Sequence, residues 1–282
     1  AFGSRNNPSR SANTRGAGPC HLTLDATGQN LFVANYDGGS LSVIRVGADG
    51  RLGETTAFIQ NHGSGPTPNQ QSAHAHCVTI DAANKFVFVC DLGIDQVLIY
   101  RLDADKGTLT PAATPFAALK PGSGPRHLTF RPDGRFAYVF NELAGTLTTF
   151  AYNAATGALT EVATVSSLPP GYEGRKWGAE LATDAAGKFL YASNRARDAV
   201  AVFAIDSAKG TLTFVNDTPS GGQIPRHLAL LPSGRHLLVA NQNSNNVLVS
   251  AVDAATGKLS AFTPVAEVSA PVAVAFLPPM AK

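Results

Sequence analysis

The chain has 282 residues, of which only 15% are charged, and its formal net charge is +2 at pH 7. A typical soluble domain has about 25% charged residues. A net charge this small, spread over the whole chain, gives no basic face for a nucleic acid. No apolar run approaches the ~18 residues that a membrane helix needs, and the three cysteines, Cys20, Cys77 and Cys90, are too few for a disulfide framework or a zinc cage.

The first segment, residues 1–16, consists mainly of Ser, Asn, Gly, Pro and Arg and contains no acidic residue. Such a composition is typical of disorder. An acid-poor start with Arg and Ser is also typical of a transit peptide, and the missing initiator Met favours a truncated start. We therefore expect residues 1–16 to be a disordered or truncated segment and residues 17–282 to form the folded domain.

From residue 17 onwards the sequence repeats. One unit opens with Gly124-Pro-Arg-His-Leu-Thr-Phe-Arg-Pro-Asp-Gly134, and the position of His127 recurs at intervals of 46–56 residues. The equivalent residues are His21, Cys77, Glu180, His227 and Ala273. Recurring Gly and Asn or Asp positions mark tight turns, and the runs of Val, Phe, Leu, Tyr and Thr between them are typical of strands.

This register predicts a central strand pair in each of five units. The pairs are 31–35 with 41–46, 86–91 with 96–101, 136–141 with 146–152, 189–194 with 199–205 and 236–241 with 246–252. Some runs, such as Phe86-Val-Phe-Val-Cys90, are apolar throughout, which is typical of a sheet packed between two others. Four short strands per ~50-residue unit predict an all-β fold, a β-propeller of four-stranded antiparallel blades. The chain holds five complete blades, and Ala270–Leu277 is expected to form one further inner strand.

Polar residues at the start of the inner strands are the candidates for a functional site. In a propeller these positions meet around one end of the central channel, so they are expected to share one funnel. The repeat position before His127 is occupied by His76, Arg126 and Arg226 in three of the units. The repeat position of His127 itself is occupied by His21, Glu180 and His227 in three of the units, and His74 lies nearby in the sequence. Guanidinium groups suit an anionic, oxygen-rich ligand, and a nearby Glu or His can activate water.

Each of these residues also has a structural interpretation. A histidine at a fixed repeat position can simply bond the backbone of a neighbouring blade, and this applies to His21, His127 and His227. The pair His74 and His76 has the spacing of metal ligands, but no third ligand stands out, so no metal is predicted. The segment 174–178, Gly-Arg-Lys-Trp-Gly, is either a lid over the funnel or a solvated loop.

Several motifs together resemble the seven-bladed propeller lactonase family, which includes bacterial 6-phosphogluconolactonase and, more distantly, fungal carboxymuconate-lactonizing enzyme. They are Gly18-Pro-Cys-His-Leu22, Ala34-Asn-Tyr-Asp-Gly-Gly39, Gly63-Ser-Gly-Pro66 with His74-Ala-His76, Asp91-Leu-Gly93, Gly124-Pro-Arg-His127, Asn141-Glu-Leu143, Ala179-Glu180, Ser193-Asn-Arg195 and Pro225-Arg-His227. The resemblance covers residues 17–282. It implies a seven-bladed ring that hydrolyses a sugar lactone, such as 6-phosphogluconolactone, without a metal or other cofactor. It implies catalytic roles for His76, Arg126, Glu180 and Arg226, and substrate contacts from His21, His74, His127, His227 and Arg195.

Two other functions remain open at this point: a lactonizing cycloisomerase acting on a muconate-type dicarboxylate, and a non-catalytic propeller that binds a ligand or a protein. We expect a small-molecule lactone or sugar acid as the partner, with no nucleic acid and no membrane. Because the ring is incomplete, self-association through exposed blade faces is also expected. No secretory signal is recognised in the sequence, which favours a cytoplasmic location.

Overall fold

The protein is described by a computed structural model that covers residues 11–276. These residues contain no helix, and their 20 strands form five four-stranded antiparallel sheets. Sheet 1 contains β1 (Pro19–Leu24), β2 (Asn30–Asn35), β3 (Ser40–Val46) and β4 (Leu52–Gln60). Sheet 2 contains β5 (Ala75–Ile80), β6 (Phe86–Asp91), β7 (Gln96–Asp103) and β8 (Thr108–Ala118). Sheet 3 contains β9 (Pro125–Phe130), β10 (Phe136–Asn141), β11 (Thr146–Tyr152) and β12 (Leu159–Ser166). Sheet 4 contains β13 (Gly178–Thr183), β14 (Phe189–Asn194), β15 (Ala199–Ile205) and β16 (Leu212–Pro219). Sheet 5 contains β17 (Pro225–Leu230), β18 (His236–Asn241), β19 (Asn246–Ala251) and β20 (Thr263–Glu267).

The all-β class and the four-stranded blades expected from the repeat are confirmed. In every sheet the strands follow one another in chain order, each paired with the next. The five predicted central pairs correspond to β2–β3, β6–β7, β10–β11, β14–β15 and β18–β19. Their bounds agree with the prediction to within two residues because the turn residues fix both ends of each strand.

The sixth inner strand predicted over residues 270–277 is wrong for the described part of that segment. Residues 270–276 form no strand, and Leu277 lies outside the described residues. The Val274 amide donates to Nδ1 of His227 at 3.4 Å instead of to a backbone carbonyl. An apolar sequence becomes a strand only when a neighbouring strand pairs with it, and none of the described strands pairs with this segment.

Residues 1–10 of the segment expected to be disordered or truncated lie outside the described residues. Residues 11–16 form no strand, but they contact sheet 1. The Thr55 hydroxyl donates to the Asn13 carbonyl at 2.9 Å, the Ser42 hydroxyl donates to the Thr14 carbonyl, and the Arg15 guanidinium lies 5.2 Å from the centre of the Phe58 ring.

The chain divides into two compact units. Unit 1 runs to Leu128 and includes Tyr152–Thr160, and unit 2 comprises Thr129–Ala151 and the chain from Glu161 onwards. In unit 1 the core between sheets 1 and 2 includes Phe32, Val78 and Val89. Unit 2 contains two apolar clusters, one with Tyr138, Phe140 and Phe203 and one with Tyr191, Val202 and Val239. Strands β6, β10 and β14 are buried along their whole length, as the apolar runs predicted.

Turn glycines in unit 2 contact aromatic rings of the preceding sheet. A Cβ atom on Gly210 would lie 2.5 Å from the Phe136 ring, and one on Gly257 would lie 2.5 Å from the Phe189 ring. Both glycines also have positive φ, 69° and 71°, a conformation that only glycine adopts without strain. The recurring glycine is therefore required both by the turn and by the ring packed against it.

Candidate active site

The first strand of a sheet is irregular where the candidate residues lie. The β1–β2 register shifts between Pro19 and His21, and the β5–β6 register shifts between Ala75 and Cys77. The corresponding shifts in sheets 4 and 5 lie between Gly178 and Leu181 and between Pro225 and His227. The residues inside these irregularities are Cys20, His76, Ala179, Glu180 and Arg226. Side chains of a regular strand alternate between two faces, and a bulge breaks that alternation and redirects a side chain, often beside an active site.

In unit 1, the strands β1, β5 and β9 bring His21, Cys77 and His127 together. The Cys77 Sγ atom lies 3.9 Å from His21 Nε2, and the His21 and His127 rings meet edge to face with their centres 5.1 Å apart. Burial by itself raises the pKa of the Cys77 thiol. The charge and hydrogen bond of His21, with a hydrogen bond from Thr79, outweigh burial and leave the pKa of Cys77 below its usual value.

His76 lies next to this group, and Tyr36 connects it with His74. The His76 ring centre lies 5.1 Å from that of His127 and 5.5 Å from that of Tyr36. The Tyr36 ring stacks on the His74 ring with their centres 4.6 Å apart. The backbone oxygen of Tyr36 lies 2.9 Å from Nδ1 of His74. This contact holds the proton of His74 on Nδ1, because a carbonyl oxygen can only accept.

The turn that carries His74 is fixed by a buried carboxylate. Asp91 accepts the backbone amide of His74 at 2.7 Å and that of Gly93 at 3.0 Å, and the Asn61 side chain donates to it at 2.7 Å. Burial raises the pKa of Asp91 in spite of these hydrogen bonds, which act in the opposite direction. Asp91 is therefore a structural anchor for the turn before β5.

Arg126 is the remaining candidate of unit 1. It lies on β9 directly before His127, and only 3% of its surface is exposed.

In unit 2, β13 and β17 bring Glu180 and His227 into contact. The Nε2 atom of His227 lies 3.3 Å from Oε2 of Glu180, and the other carboxylate oxygen accepts the backbone amide of Leu181 at 3.1 Å. The Val274 amide donates to Nδ1 of His227 at 3.4 Å, which favours the tautomer with its proton on Nε2, towards Glu180. The Glu180 amide donates to the Ser193 hydroxyl at 3.0 Å. Arg226 lies half-buried on β17 beside His227.

Arg195 has contacts that favour a structural role over the predicted substrate contact. It is 3% exposed, and its guanidinium forms a 2.6 Å ion pair with Glu142. It donates to the Gly178 carbonyl through Nε at 3.2 Å and Nη2 at 2.6 Å. Gly178 opens β13, two residues before Glu180, so Arg195 fixes the strand that carries Glu180.

Trp177 anchors the segment 174–178. The guanidinium groups of Arg175 and Arg195 lie 4.1 Å and 4.2 Å from the centre of its ring, and its indole N–H donates to Glu142 at 3.1 Å. The tryptophan end of the segment is therefore packed against charged side chains of unit 2 and not free in solvent.

The structure thus forms two groups of candidate residues. Unit 1 brings together His21, His76 and His127, with His74 held through Tyr36; unit 2 brings together Glu180 and His227. Sequence reasoning did not assign roles to Cys77, Ser193 or Glu142. Cys77 had a signal, since it occupies the repeat position of His21 and His127; Ser193 and Glu142 lay in the quoted motifs but had no repeat signal of their own.

Comparison with known proteins identifies the family. The family described as "Lactonase, 7-bladed beta-propeller" matches residues 3–276. A 6-phosphogluconolactonase of Bacillus subtilis is 32% identical over 93% of this chain and 74% of its own length. One of Formosa agariphila is 35% identical over 86% of this chain and 69% of its own length.

A solved structure described as the periplasmic gluconolactonase of Pseudomonas aeruginosa superimposes with a TM-score of 0.84 at 37% identity. The match covers 90% of this chain and 71% of that one. The chain spans only 62% of the 6-phosphogluconolactonase of Pectobacterium carotovorum. No helix in the described residues is long and apolar enough to cross a membrane. The family match covers nearly the whole sequence, and this chain belongs to the seven-bladed β-propeller lactonases.

Proposed function

We propose that this chain hydrolyses a sugar lactone of the 6-phosphogluconolactone type and that Glu180 activates the attacking water. Membership of a lactonase family gives the reaction class, ring opening of a lactone by water. The relatives named 6-phosphogluconolactonase support the substrate class. The observation that carries the mechanism is the contact between Glu180 Oε2 and His227 Nε2 at 3.3 Å.

This contact suits a carboxylate that acts as a general base. His227 donates its Nε2 proton to Oε2, and the Leu181 amide donates to Oε1, so both oxygens are oriented in the ionised form. Glu180 accepts a proton from water while the oxygen of that water bonds to the lactone carbonyl carbon. The carbonyl electron pair moves onto its oxygen. When the pair returns, the ring C–O bond breaks, and the leaving alkoxide takes the proton from Glu180. The product is the open-chain hydroxy acid.

Arg226 is proposed to stabilise the negative charge of the substrate and of the transition state. It lies inside the bulge of β17, directly before His227. A guanidinium group forms charge-assisted, paired hydrogen bonds with carboxylate or phosphate oxygens, and donors aimed at a developing oxyanion are among the strongest contributions to catalysis.

The proposed roles of the unit 1 candidates rest on the family resemblance. We propose that Arg126 and His76 also act on the substrate, and that His21, His74 and His127 contribute substrate contacts. We propose a substrate contact for His227 as well, and this role also rests on the family resemblance.

A hydrolysis screen tests the function. The parent protein is mixed with sugar lactones, with and without a phosphate group, and acid release is followed with a pH indicator against the spontaneous rate. We expect turnover of the phosphorylated lactone and a loss of about 10²–10³-fold in kcat/KM for Arg226→Ala. Arg226→Lys should recover little, because an ammonium group cannot form the paired bonds. Arg101→Ala is the control: Arg101 is exposed on β7 and packs on the Phe86 ring. A parent rate equal to the spontaneous rate for every lactone would contradict the proposal.

We propose a cytoplasmic location as a separate point. Cys20, Cys77 and Cys90 are all free thiols, and reduced cysteines are typical of a reducing compartment. The Pseudomonas aeruginosa relative is described as periplasmic, so cell fractionation of the source organism is the decisive observation. Recovery in the periplasmic fraction would contradict this proposal.

We also propose that copies of this chain self-associate. On β1, Leu22 is 63% and Leu24 is 52% exposed, and exposed apolar side chains next to each other favour association. Light scattering after size exclusion should show species larger than a monomer, and Leu22→Ser with Leu24→Ser should reduce them. A monodisperse monomer of the parent at high concentration would exclude this interaction.

A further inference from the structure

Three side chains from successive first strands converge in unit 1. The ligand atoms of His21, Cys77 and His127 all lie within 4.8 Å of one another. Among the described residues, they are the group of His, Cys, Asp or Glu side chains close enough together to share a metal ion. They come from β1, β5 and β9, so the fold and not a local loop sets their positions.

We propose that His21, Cys77 and His127 bind a thiophilic divalent metal ion, with Zn²⁺ as the ion of best fit; when the ion is bound, His21 and His127 meet a substrate through it and not directly. Zinc binds thiolate sulfur at about 2.3 Å and imidazole nitrogen at about 2.0–2.1 Å, which places sulfur and nitrogen about 3.6 Å apart in a tetrahedral site. The observed separation of Cys77 Sγ and His21 Nε2 is 3.9 Å. A movement of a few tenths of an ångström brings this pair to the zinc distance, and side-chain rotations bring in the third ligand, since all three ligand atoms lie within 4.8 Å of one another.

The ligand set selects the kind of metal. One thiolate with two imidazoles suits zinc and copper, whereas magnesium and calcium require oxygen ligands. Three protein ligands leave a fourth position open, as in catalytic zinc sites. Cys77 and His127 are buried, but His21 is half-buried, so the group is open to solvent on the side of His21.

Metal binding moves two protons, one lost from the Cys77 thiol and one shifted within the His21 imidazole. The Val78 amide donates to His21 Nδ1 at 3.4 Å, a long contact. Binding at Nε2 places the imidazole proton on Nδ1 and breaks this contact, so the Val78 amide must turn to another acceptor, and the thiol proton is released to solvent.

Cys90 pairs with Cys77 across β5 and β6, but it is not one of the three residues whose ligand atoms converge. A reductant is included in the binding experiment so that Cys77 is not lost to an oxidation product.

Cobalt titration tests the proposal independently of lactone hydrolysis. The reduced, chelator-treated protein is titrated with Co²⁺, whose bonds to thiolate give a charge-transfer absorption in the near ultraviolet. We expect saturation at one ion per chain and displacement by Zn²⁺. Cys77→Ser should remove the band, and His127→Ala should weaken binding at least about tenfold. Cys20→Ser is the matched control and should keep the band, because this exposed thiol is not part of the group.

A second measurement covers variants that fail to fold. In the parent, the buried Cys77 thiol is alkylated only as the fold opens transiently. During a long incubation with iodoacetamide, Zn²⁺ should slow this alkylation, read by mass spectrometry of the peptide, while the exposed Cys20 reacts at an unchanged rate. The absence of a one-to-one cobalt band in the parent, the same band in folded Cys77→Ser, or alkylation of Cys77 unaffected by Zn²⁺ would each overturn the proposal.

Discussion

Replacing Gly210 by alanine separates the two reasons for the glycine in this turn. A residue with a Cβ atom at a φ of 69° costs about 1–2 kcal/mol. The new Cβ would also lie 2.5 Å from Cδ1 and Cγ of Phe136. Phe136 belongs to a buried cluster with Phe203 and Leu212, so the ring has little room to move, and overpacking of this kind costs about 1–3 kcal/mol more.

The matched control is Gly234→Ala. Gly234, in the turn between β17 and β18, has the same φ of 69°, and a Cβ atom there meets nothing within 4 Å. The difference between the two variants is therefore the clash alone, about 1–3 kcal/mol, or roughly 2–12 °C in Tm for a domain of this size. Thermal unfolding followed by circular dichroism measures both. Equal losses of Tm in the two variants would refute the packing argument and leave only the turn conformation.

Two further predictions follow from the same structure. Arg195→Lys keeps the charge but loses the paired contacts to Glu142 and Gly178, so it should lower the free energy of unfolding by about 1–3 kcal/mol. It should also shift the emission of Trp177, the single tryptophan, to longer wavelength; unchanged emission and stability would refute the role of Arg195. Asp25 is buried, which raises its pKa, but hydrogen bonds from Thr27, Asn30 and Asn84 outweigh burial and lower it. A carboxyl with a lowered pKa stabilises the fold above its unfolded-state pKa and loses this effect as the pH falls through its folded-state pKa. Asp25→Asn should therefore be less stable than the parent in urea at pH 7, with the difference shrinking below about pH 4; a constant difference would contradict it.

Strand positions were predictable because they depend on local sequence. The turn glycines and the Val-rich and Phe-rich runs of one unit fix both ends of strands such as β10 and β14, and five repeats of the pattern reinforce one another. The segment 270–276 shows the limit of this reasoning. It has the composition of an inner strand, but strand formation requires a pairing partner, which composition does not reveal.

The candidate site was predictable in outline only. The repeat placed Glu180 and His227 at equivalent positions, and the structure brings them to 3.3 Å. The bulges at His76 and Arg226 are set by pairing with the second strand and have no clear sequence signature. The role of Arg195 could not be predicted because its partners Glu142 and Trp177 lie 53 and 18 residues away in the sequence, and only the folded chain brings them together.

The central claim is that Glu180 is the base in lactone hydrolysis, and Glu180→Gln tests it most directly. The amide keeps the shape of the side chain and removes its basicity. With a 6-phosphogluconolactone-type substrate at pH 7, kcat should fall by about 10²–10⁴-fold with little change in KM. Arg101→Ala, measured beside it, should stay within a few-fold of the parent. Full activity of Glu180→Gln would contradict the account, and if His76→Ala lost activity in the same experiment, the histidine would be the base.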